Sequence, residues 1–186
     1  MIGYAMCGSF CTLGISLDIM KRLVASGCEI QPIMSENAYL TSTRFFEAEE
    51  LRRRVEAIAK RPIISTVTDA EPLGPKRPLE ALIIAPCTGN TLAKMANGIT
   101  DTAVTMAAKA HLRCDRPLLI ALASNDALSQ NLANVGAMLN RKSVYFAPLR
   151  QDDPKGKPHS LVADFERIPE ALEAMLRGEQ MRPLFV

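Results

Sequence analysis

The stretch ALIIAPCTGNTLAK, residues 81–94, joins an apolar run to a polar turn that opens a helix. Residues 81–85 are apolar at every position, which is typical of a strand buried on both faces of a parallel sheet. A proline and a glycine then break the strand, and the segment 88–91 places hydroxyl and amide groups at the start of the helix. A strand, a polar turn and a helix in this order indicate one unit of a doubly wound α/β sheet.

The same alternation continues towards both ends of the chain. Four further apolar runs have the length of strands: Ile2–Met6, Ile30–Met34, Leu118–Ala123 and Val144–Ala147. Stretches with helical spacing of apolar residues begin near Leu13, Leu51, Thr102, Leu128 and Ile168. We therefore predict one α/β domain over residues 1–186, a flavodoxin-like or Rossmann-like three-layer sandwich on a single doubly wound parallel sheet. Within this domain we expect an ordered functional loop over residues 148–162 and a C-terminal helix over residues 163–177.

The composition excludes several classes of function. Of 186 residues, 48% are hydrophobic, and 22 Lys+Arg against 20 Asp+Glu leave a net charge of +2. This balance, together with the lack of tryptophan, argues against a nucleic-acid-binding face. No apolar run approaches the roughly 18–20 residues of a membrane span. Five scattered cysteines without a C-x-x-C pair predict a reducing, cytoplasmic setting and no metal site.

Ligands of doubly wound sheets bind beyond the carboxyl ends of the strands, so the loops after the strands form the candidate site. The first loop, CGSFCT at residues 7–12, has neither a G-x-G-x-x-G fingerprint nor a P-loop. Gly8 and Ser9 at a helix start either hold one phosphate through free N–H groups or form an ordinary capped turn. Ser35, after the second strand, adds a hydroxyl with the same two interpretations.

The loop after the third strand offers the most polar groups. Thr88, Asn90 and Thr91 either form a ligand cradle or cap the helix that they open. In a cradle, the amide of Asn90 suits a planar polar ring or a carboxylate, because it has both donors and an acceptor.

Residues 86–101 carry a resemblance to a known family. They read P-x-T-x-N-T-x-x-K-x-x-x-G-x-x-D, which resembles the signature of the flavoprotein family of FMN-dependent cysteine decarboxylases and their relatives. The resemblance implies that Gly8 and Ser9 match the family's T-G-S loop, which takes the FMN phosphate, and that Ser35 also approaches FMN. The implied set of cofactor-binding residues is completed by Thr88, Asn90 and Thr91.

Four other segments are similar to a narrower group, the B subunits of dipicolinate synthases: residues 41–45, 70–76, 124–128 and 151–163. With the motif above, they span nearly the whole chain. This resemblance implies an oxidoreductase subunit that converts dihydrodipicolinate, or its hydroxytetrahydro precursor, to dipicolinate during sporulation. It also implies a partner, the A subunit of the synthase, whose Rossmann domain holds NAD(P), and a homo-oligomer built of trimers or a multiple of them.

Such a dicarboxylate substrate requires cations or hydrogen-bond donors. Arg44, ahead of two phenylalanines, is the best candidate for a bidentate clamp, and Lys76 and Asn125 complete the predicted substrate-binding set. For Arg77 and Lys94 a solvated surface charge is the preferred interpretation, and Lys94 also suits a pair with the acidic residue seven positions on.

Two departures from the decarboxylase pattern bear on the chemistry. The decarboxylases carry a catalytic histidine between the second strand and the Asn-Thr motif, whereas the only histidines here are His111 and His159. The first loop begins with Cys7 where the family has threonine. We assign no catalytic residue. Asp126 can act as a proton acceptor or as a helix cap, and we prefer the cap. Two alternatives to a catalytic synthase subunit remain. One is a stand-alone FMN-dependent decarboxylase, against which the missing histidine weighs, and the other is a non-catalytic subunit that binds and stabilises the A subunit.

Overall fold

The computed structural model describes residues 1–76 and 78–186, and Arg77 lies outside the described residues. The strands are β1 (Ile2–Met6), β2 (Ile30–Met34), β3 (Ala81–Thr88), β4 (Leu118–Ser124), β5 (Val144–Phe146), β6 (Leu149–Arg150) and β7 (Leu161–Ala163). The helices are α1 (Leu13–Ala25), α2 (Glu36–Leu40), α3 (Ala48–Ala59), α4 (Val67–Ala70), α5 (Gly89–Ala96), α6 (Ala103–Leu112), α7 (Leu132–Leu139) and α8 (Ile168–Leu176). Short 3-10 turns precede α1, follow α4 and precede α8.

One sheet carries these strands in the order β2-β1-β3-β4, and β5 runs along the first half of β4. These five strands are parallel to one another. The order 2-1-3-4-5 is that of flavodoxin-like folds, in which the direction of strand addition reverses between β1 and β3. The predicted fold class, a doubly wound α/β sheet, is confirmed.

The far edge of the sheet differs from the all-parallel prediction, because the sheet is mixed. β7 pairs antiparallel with the last two residues of β4, and β6 pairs antiparallel with β7. The two strands lie at the ends of the predicted 148–162 loop, whose residues 151–159 are exposed. Strands of two and three residues are too short to show an alternating pattern, which is why the sequence did not reveal them.

A buried polar network secures α1 against the centre of the sheet. The Tyr4 hydroxyl donates to the Ser16 carbonyl oxygen at 3.1 Å, and Ser16 Oγ donates to the Ala85 carbonyl oxygen at 2.6 Å. The pairing of β3 with β4 shifts its register at Ala85 and Pro86, where the proline has no N–H to donate. The network therefore supplies a partner to a carbonyl at the point where the ladder is irregular.

Two predicted helices start later than the sequence suggested. α7 begins at Leu132 instead of Leu128, because the preceding residues form turns in which the Asp126 carbonyl oxygen accepts the N–H groups of Ser129 and Asn131. The predicted helix over residues 163–177 begins only at Ile168, since β7 takes the chain up to Ala163. α1, α3 and α6 lie where the spacing predicts them. Among the described residues, no helix combines the length and apolarity needed to cross a membrane.

Candidate functional site

The carboxyl ends of β1, β2, β3 and β4 lie along one edge of the sheet, because these strands are parallel. Two backbone hydrogen bonds continue the pairing past the strand ends. The Cys7 N–H donates to the Pro86 carbonyl oxygen at 3.0 Å, and the Ser35 N–H donates to the Met6 carbonyl oxygen at 2.9 Å. The three loops that the sequence predicts to hold a cofactor are therefore neighbours, on either side of the strand-order reversal.

Gly8 and Ser9 form the turn between β1 and the helical segment that leads into α1. The Ser9 N–H donates to the Cys7 carbonyl oxygen at 2.8 Å, and Thr12 Oγ1 donates to the Ser9 carbonyl oxygen at 2.9 Å. In the part of the chain that the structure describes, no side chain caps the start of this helical segment. Its first N–H groups are thus available to an anion, which the helix dipole also favours.

Ser35 lies at the start of α2 and is only 8% exposed. Its Oγ accepts a hydrogen bond from the Ala38 N–H at 3.3 Å, which makes it the helix cap that one interpretation predicted. A serine hydroxyl that accepts one bond still has its proton to donate, so the capping role leaves a donor for a ligand. Asn37, which sequence reasoning did not single out, faces Gly8 across the same corner.

The hydroxyls of Thr88 and Thr91 bond within the protein. Thr88 Oγ1 accepts the Thr91 N–H at 3.2 Å and donates to Thr91 Oγ1 at 3.0 Å. Thr91 Oγ1 donates in turn to Cys7 Sγ at 3.3 Å, which ties the start of α5 to the end of β1. Asn90 lies between the two threonines and is exposed. Of the three polar residues predicted in this loop, Asn90 is the one whose side chain faces solvent.

Cys7 and Cys87 are buried thiols beneath these loops. Burial raises the pKa of Cys7 to about 11, although the hydrogen bond from Thr91 opposes the shift. Burial also raises the pKa of Cys87, and the neighbouring Cys7 adds to this effect. Both groups are neutral thiols near neutral pH, so neither suits the role of thiolate nucleophile or metal ligand.

A polar cluster closes the corner between β4 and α5. Ser124 Oγ donates to Asp126 Oδ1, and Asn131 Nδ2 donates to Asp126 Oδ2 at 2.8 Å. The cluster contacts Gly89, where a Cβ atom would lie 2.8 Å from Asp126 Oδ1 and 2.7 Å from Asn131 Nδ2. The side chain of Asp126 therefore does not cap a helix, contrary to the first interpretation. Asn131 was missed from the sequence, where its position ahead of an apolar helix was the only signal.

The predicted substrate-binding residues lie at two different edges of the sheet. Arg44 lies in the exposed loop between α2 and α3, with its guanidinium carbon 4.9 Å from the centre of the Phe45 ring. Asn125 is exposed directly after β4. Lys76 precedes β3 and follows Gly74, which packs against the end of α6. Lys76 thus lies at the amino-terminal edge, and the structure does not bring it together with the other two residues within one chain.

Lys94 and the two histidines are placed by contacts of their own. Lys94 Nζ lies 2.9 Å from each carboxylate oxygen of Asp101, the pair that one interpretation predicted. His111 is fully buried, with Nε2 2.9 Å from the Pro117 carbonyl oxygen, near the amino end of β4. His159 is exposed in the long loop before β7. Neither histidine belongs to the loops that follow β1, β2 or β3.

An open pocket of about 370 Å³ lies beside Ser35, between α2, the start of α4 and the start of α6. Its lining includes the carboxylates of Glu36 and Asp101, the Tyr39 ring and the Thr66 hydroxyl. This volume lies within the range of about 300–1,000 Å³ that is usual for small-molecule sites.

Comparison with known proteins gives consistent matches. The model of the Flavoprotein family matches residues 1–165. The B subunit of the dipicolinate synthase of Bacillus subtilis (strain 168) is 40% identical over 185 residues, which cover 100% of this chain and 92% of that protein. The crystal structure of the B subunit of dipicolinate synthase from Bacillus halodurans matches with a TM-score of 0.91 and 41% identity, over 100% of this chain and 95% of the other. The FMN-dependent cysteine decarboxylase SpaF shares the fold at 22% identity, with a TM-score of 0.69 and 95% of each chain covered.

These matches agree with the resemblance that residues 86–101 carry, and the structure places that motif at the end of β3, beside the strand-order reversal. The family model covers most of the chain, and the two B subunits match it over its full length. The chain therefore belongs to the flavoprotein family, in the group that includes the dipicolinate synthase B subunits.

Proposed function

We propose that this chain is the FMN-binding B component of a dipicolinate synthase, an oxidoreductase that works with a separate A subunit. The observation that carries the proposal is the full-length similarity to two dipicolinate synthase B subunits, at 40% and 41% identity. The loops after β1 and β3 lie on either side of the strand-order reversal, the position at which this fold class binds its ligands, and this supports the proposal.

The polar groups in the loops after β1, β2 and β3 suit the phosphate and the ring of FMN. The N–H groups at the start of the α1 segment and the hydroxyls of Ser9 and Ser35 suit the phosphate, since all of them are donors. The exposed amide of Asn90 suits the polar edge of the flavin ring. FMN supplies a two-electron acceptor, which the oxidation of a dihydropyridine dicarboxylate to its aromatic form requires.

We propose a small dicarboxylate as the substrate, either dihydrodipicolinate or its hydroxytetrahydro precursor. Arg44 is the candidate to bind one carboxylate, because a guanidinium forms two parallel hydrogen bonds with it. Asn125, at the β4 end, is the candidate for a second polar contact. The A subunit holds NAD(P) in this scheme, and the pair acts in the cytoplasm of a sporulating cell, with this chain as a homo-oligomer.

The cofactor part of the proposal is tested by titrating the purified chain with FMN and following flavin fluorescence. We expect saturable binding, weakened roughly tenfold by Ser9→Ala, because a hydroxyl bonded to a charged phosphate contributes on the order of 1.5–3 kcal/mol. Ser26→Ala is the control, since Ser26 ends α1 and its Oγ donates to the Leu23 carbonyl oxygen at 2.8 Å. A chain that takes up no FMN would overturn this part.

The enzymatic part is tested by measuring dipicolinate formation in three mixtures: the A subunit without this chain, with the wild-type chain, and with the Asn90→Ala variant. We expect formation to depend on this chain and to fall with Asn90→Ala. Full activity of the A subunit without this chain, or a mixture indifferent to Asn90→Ala, would identify this chain as a stabilising subunit instead. The stand-alone decarboxylase is disfavoured, because no histidine lies between residues 35 and 90.

A further inference from the structure

A chain of hydrogen-bonded side chains runs from the turn after β4 to the carboxyl end of α5 and contacts Gly89 at its amino end. Asn131 Nδ2 donates to Asp126 Oδ2 at 2.8 Å, and Asn134 Nδ2 donates to Asn131 Oδ1 at 2.9 Å. Asn97 Nδ2 lies 3.5 Å from Asn134 Oδ1 and donates to the Ala93 carbonyl oxygen, within α5, at 2.8 Å. We call Asp126, Asn131, Asn134 and Asn97 the amide relay.

The amide relay meets α5 at the residue where the helix begins. Glycine is required at position 89 in this arrangement, because a Cβ there would overlap Asp126, Asn131 and Ser124. Asn131 is only 6% exposed, so its amide depends on the relay for its hydrogen bonds. The Asp126 carboxylate lies at the amino end of α5, where the helix dipole stabilises a negative charge.

Burying the amide relay costs more free energy than burying an apolar contact would, which points to a role in positioning α5. A buried amide and a half-buried carboxylate lose water on folding and are tolerated only while each bonds the other in the right geometry. The first turn of α5 carries Asn90, the exposed amide of the candidate FMN site. Between α5 and α7, the contact of Asn97 Nδ2 with Asn134 Oδ1 at 3.5 Å adds one long hydrogen bond to the packing of the two helices.

We propose that Asp126 and Asn131 are positioning residues, which fix the first turn of α5 and so orient Asn90, a role that rests on the FMN site proposed above. Neither residue is required to touch the cofactor. The pairing of one carboxylate with one amide is the element that sets the position, and it works in either order along the chain.

Because the carboxylate and the amide can trade places, a single substitution and the matching double substitution test the proposal. Asn131→Asp sets two carboxylates against each other, and like charges in contact repel. The double variant Asp126→Asn with Asn131→Asp exchanges the two groups and keeps every bond, because the new amide at position 126 donates to the new carboxylate at position 131, and the hydroxyl of Ser124 still has an acceptor. The measurements are amide hydrogen exchange of Thr91 and Leu92 in the FMN-free protein, and the FMN dissociation constant.

We expect Asn131→Asp to speed exchange at the start of α5 and to weaken FMN binding about tenfold or more at a pH near 8. Both effects should shrink at a pH near 5, where one carboxyl takes a proton and bonds the other. The double variant should match wild type at both pH values. If Asn131→Asp acted only by loss of packing, the second substitution would not restore wild-type behaviour. Asn134→Ala, a milder change, should shift exchange in the same direction if Asn131→Asp does not fold.

The positioning role would be overturned if amide hydrogen exchange at the start of α5 were unchanged in both Asn131→Asp and Asn134→Ala. It would also be overturned if the double variant behaved like Asn131→Asp. If exchange follows the predicted order while no variant, wild type included, binds FMN, the positioning of α5 stands and the proposed cofactor site fails. The two proposals are thereby separated.

Discussion

Gly8 and Gly89 follow neighbouring strands at the same edge of the sheet, yet their surroundings are opposite. The nearest atoms to a Cβ on Gly8 would be the Asn37 Cβ and the Phe10 ring, at 3.5 Å, which is ordinary contact. A Cβ on Gly89 would overlap the Asp126–Asn131 pair. The corner after β3, called the β3 corner here, is filled by the Asp126 carboxylate of the cluster between β4 and α5. The corner after β1, the β1 corner, holds the start of a helical segment that no described side chain caps. For the FMN phosphate proposed above, electrostatics favours the β1 corner, because the β3 corner already holds a negative charge.

Gly89→Ala should have the largest effect, because the filled corner has no room for a methyl group. We expect a loss of about 1–3 kcal/mol in the free energy of unfolding, the usual range for overpacking. FMN binding should weaken as well, since α5 must shift to relieve the overlap. Denaturant unfolding followed by circular dichroism measures the first effect. A variant as stable as wild type would show that the β3 corner is not closed.

Gly8→Ala should produce the opposite profile. The added methyl group has space in the free protein, so the free energy of unfolding should change by less than about 1 kcal/mol. The same methyl group enters the corner proposed for the FMN phosphate, and we expect FMN affinity to fall roughly tenfold. Flavin fluorescence and denaturant unfolding on the same preparation give both numbers. Equal destabilisation by Gly8→Ala and Gly89→Ala would remove the difference between the two corners.

The open corner was predictable from the sequence, and the closed one was not. A parallel strand reads as an apolar run, and the residues just after it must lie at the carboxyl edge, so Gly8, Ser9 and Ser35 follow from local pattern alone. The contact between Asp126 and Asn131 depends on how the turns before α7 fold back, and turns carry no periodic signal. The position of Lys76 could not be predicted for a related reason, since the path of an irregular segment decides which edge of the sheet it reaches.

A buried histidine lies near the amino-terminal edge of the sheet, opposite the two corners. His111 is fully buried, and among the described residues its Nδ1 has no hydrogen-bond partner. Burial lowers the pKa of His111 below its ordinary value, and the nearby Arg116 lowers it further. A protonated ring would keep the hydrogen bond from Nε2 to the Pro117 carbonyl oxygen but would leave its Nδ1–H without an acceptor, so folding favours the neutral form.

Stability should therefore fall as the pH drops below about 6.5, the ordinary histidine value. Above that pH the ring is neutral in both states and contributes nothing. Below it the unfolded chain takes up a proton that the folded chain refuses, which favours unfolding. We expect the wild-type Tm to fall by a few degrees more than that of His111→Gln between about pH 7.5 and pH 5.5. Parallel curves for the two proteins would show that His111 is not the group responsible.

Gly136→Ala supplies the smallest effect and the reference for the two corners. Gly136 lies within α7, two residues from Asn134, and a Cβ there would have nothing within 4 Å. Alanine should stabilise the protein by about 0.5–1 kcal/mol, because glycine loses more backbone freedom on forming a helix. Gly89 is the first residue of α5, where alanine gains no more from helix preference than it does at Gly136 inside α7. A destabilised Gly89→Ala beside a stabilised Gly136→Ala in denaturant unfolding therefore assigns the loss to the filled corner. A destabilised Gly136→Ala would show that α7 does not tolerate a side chain there, contrary to the open space around this position.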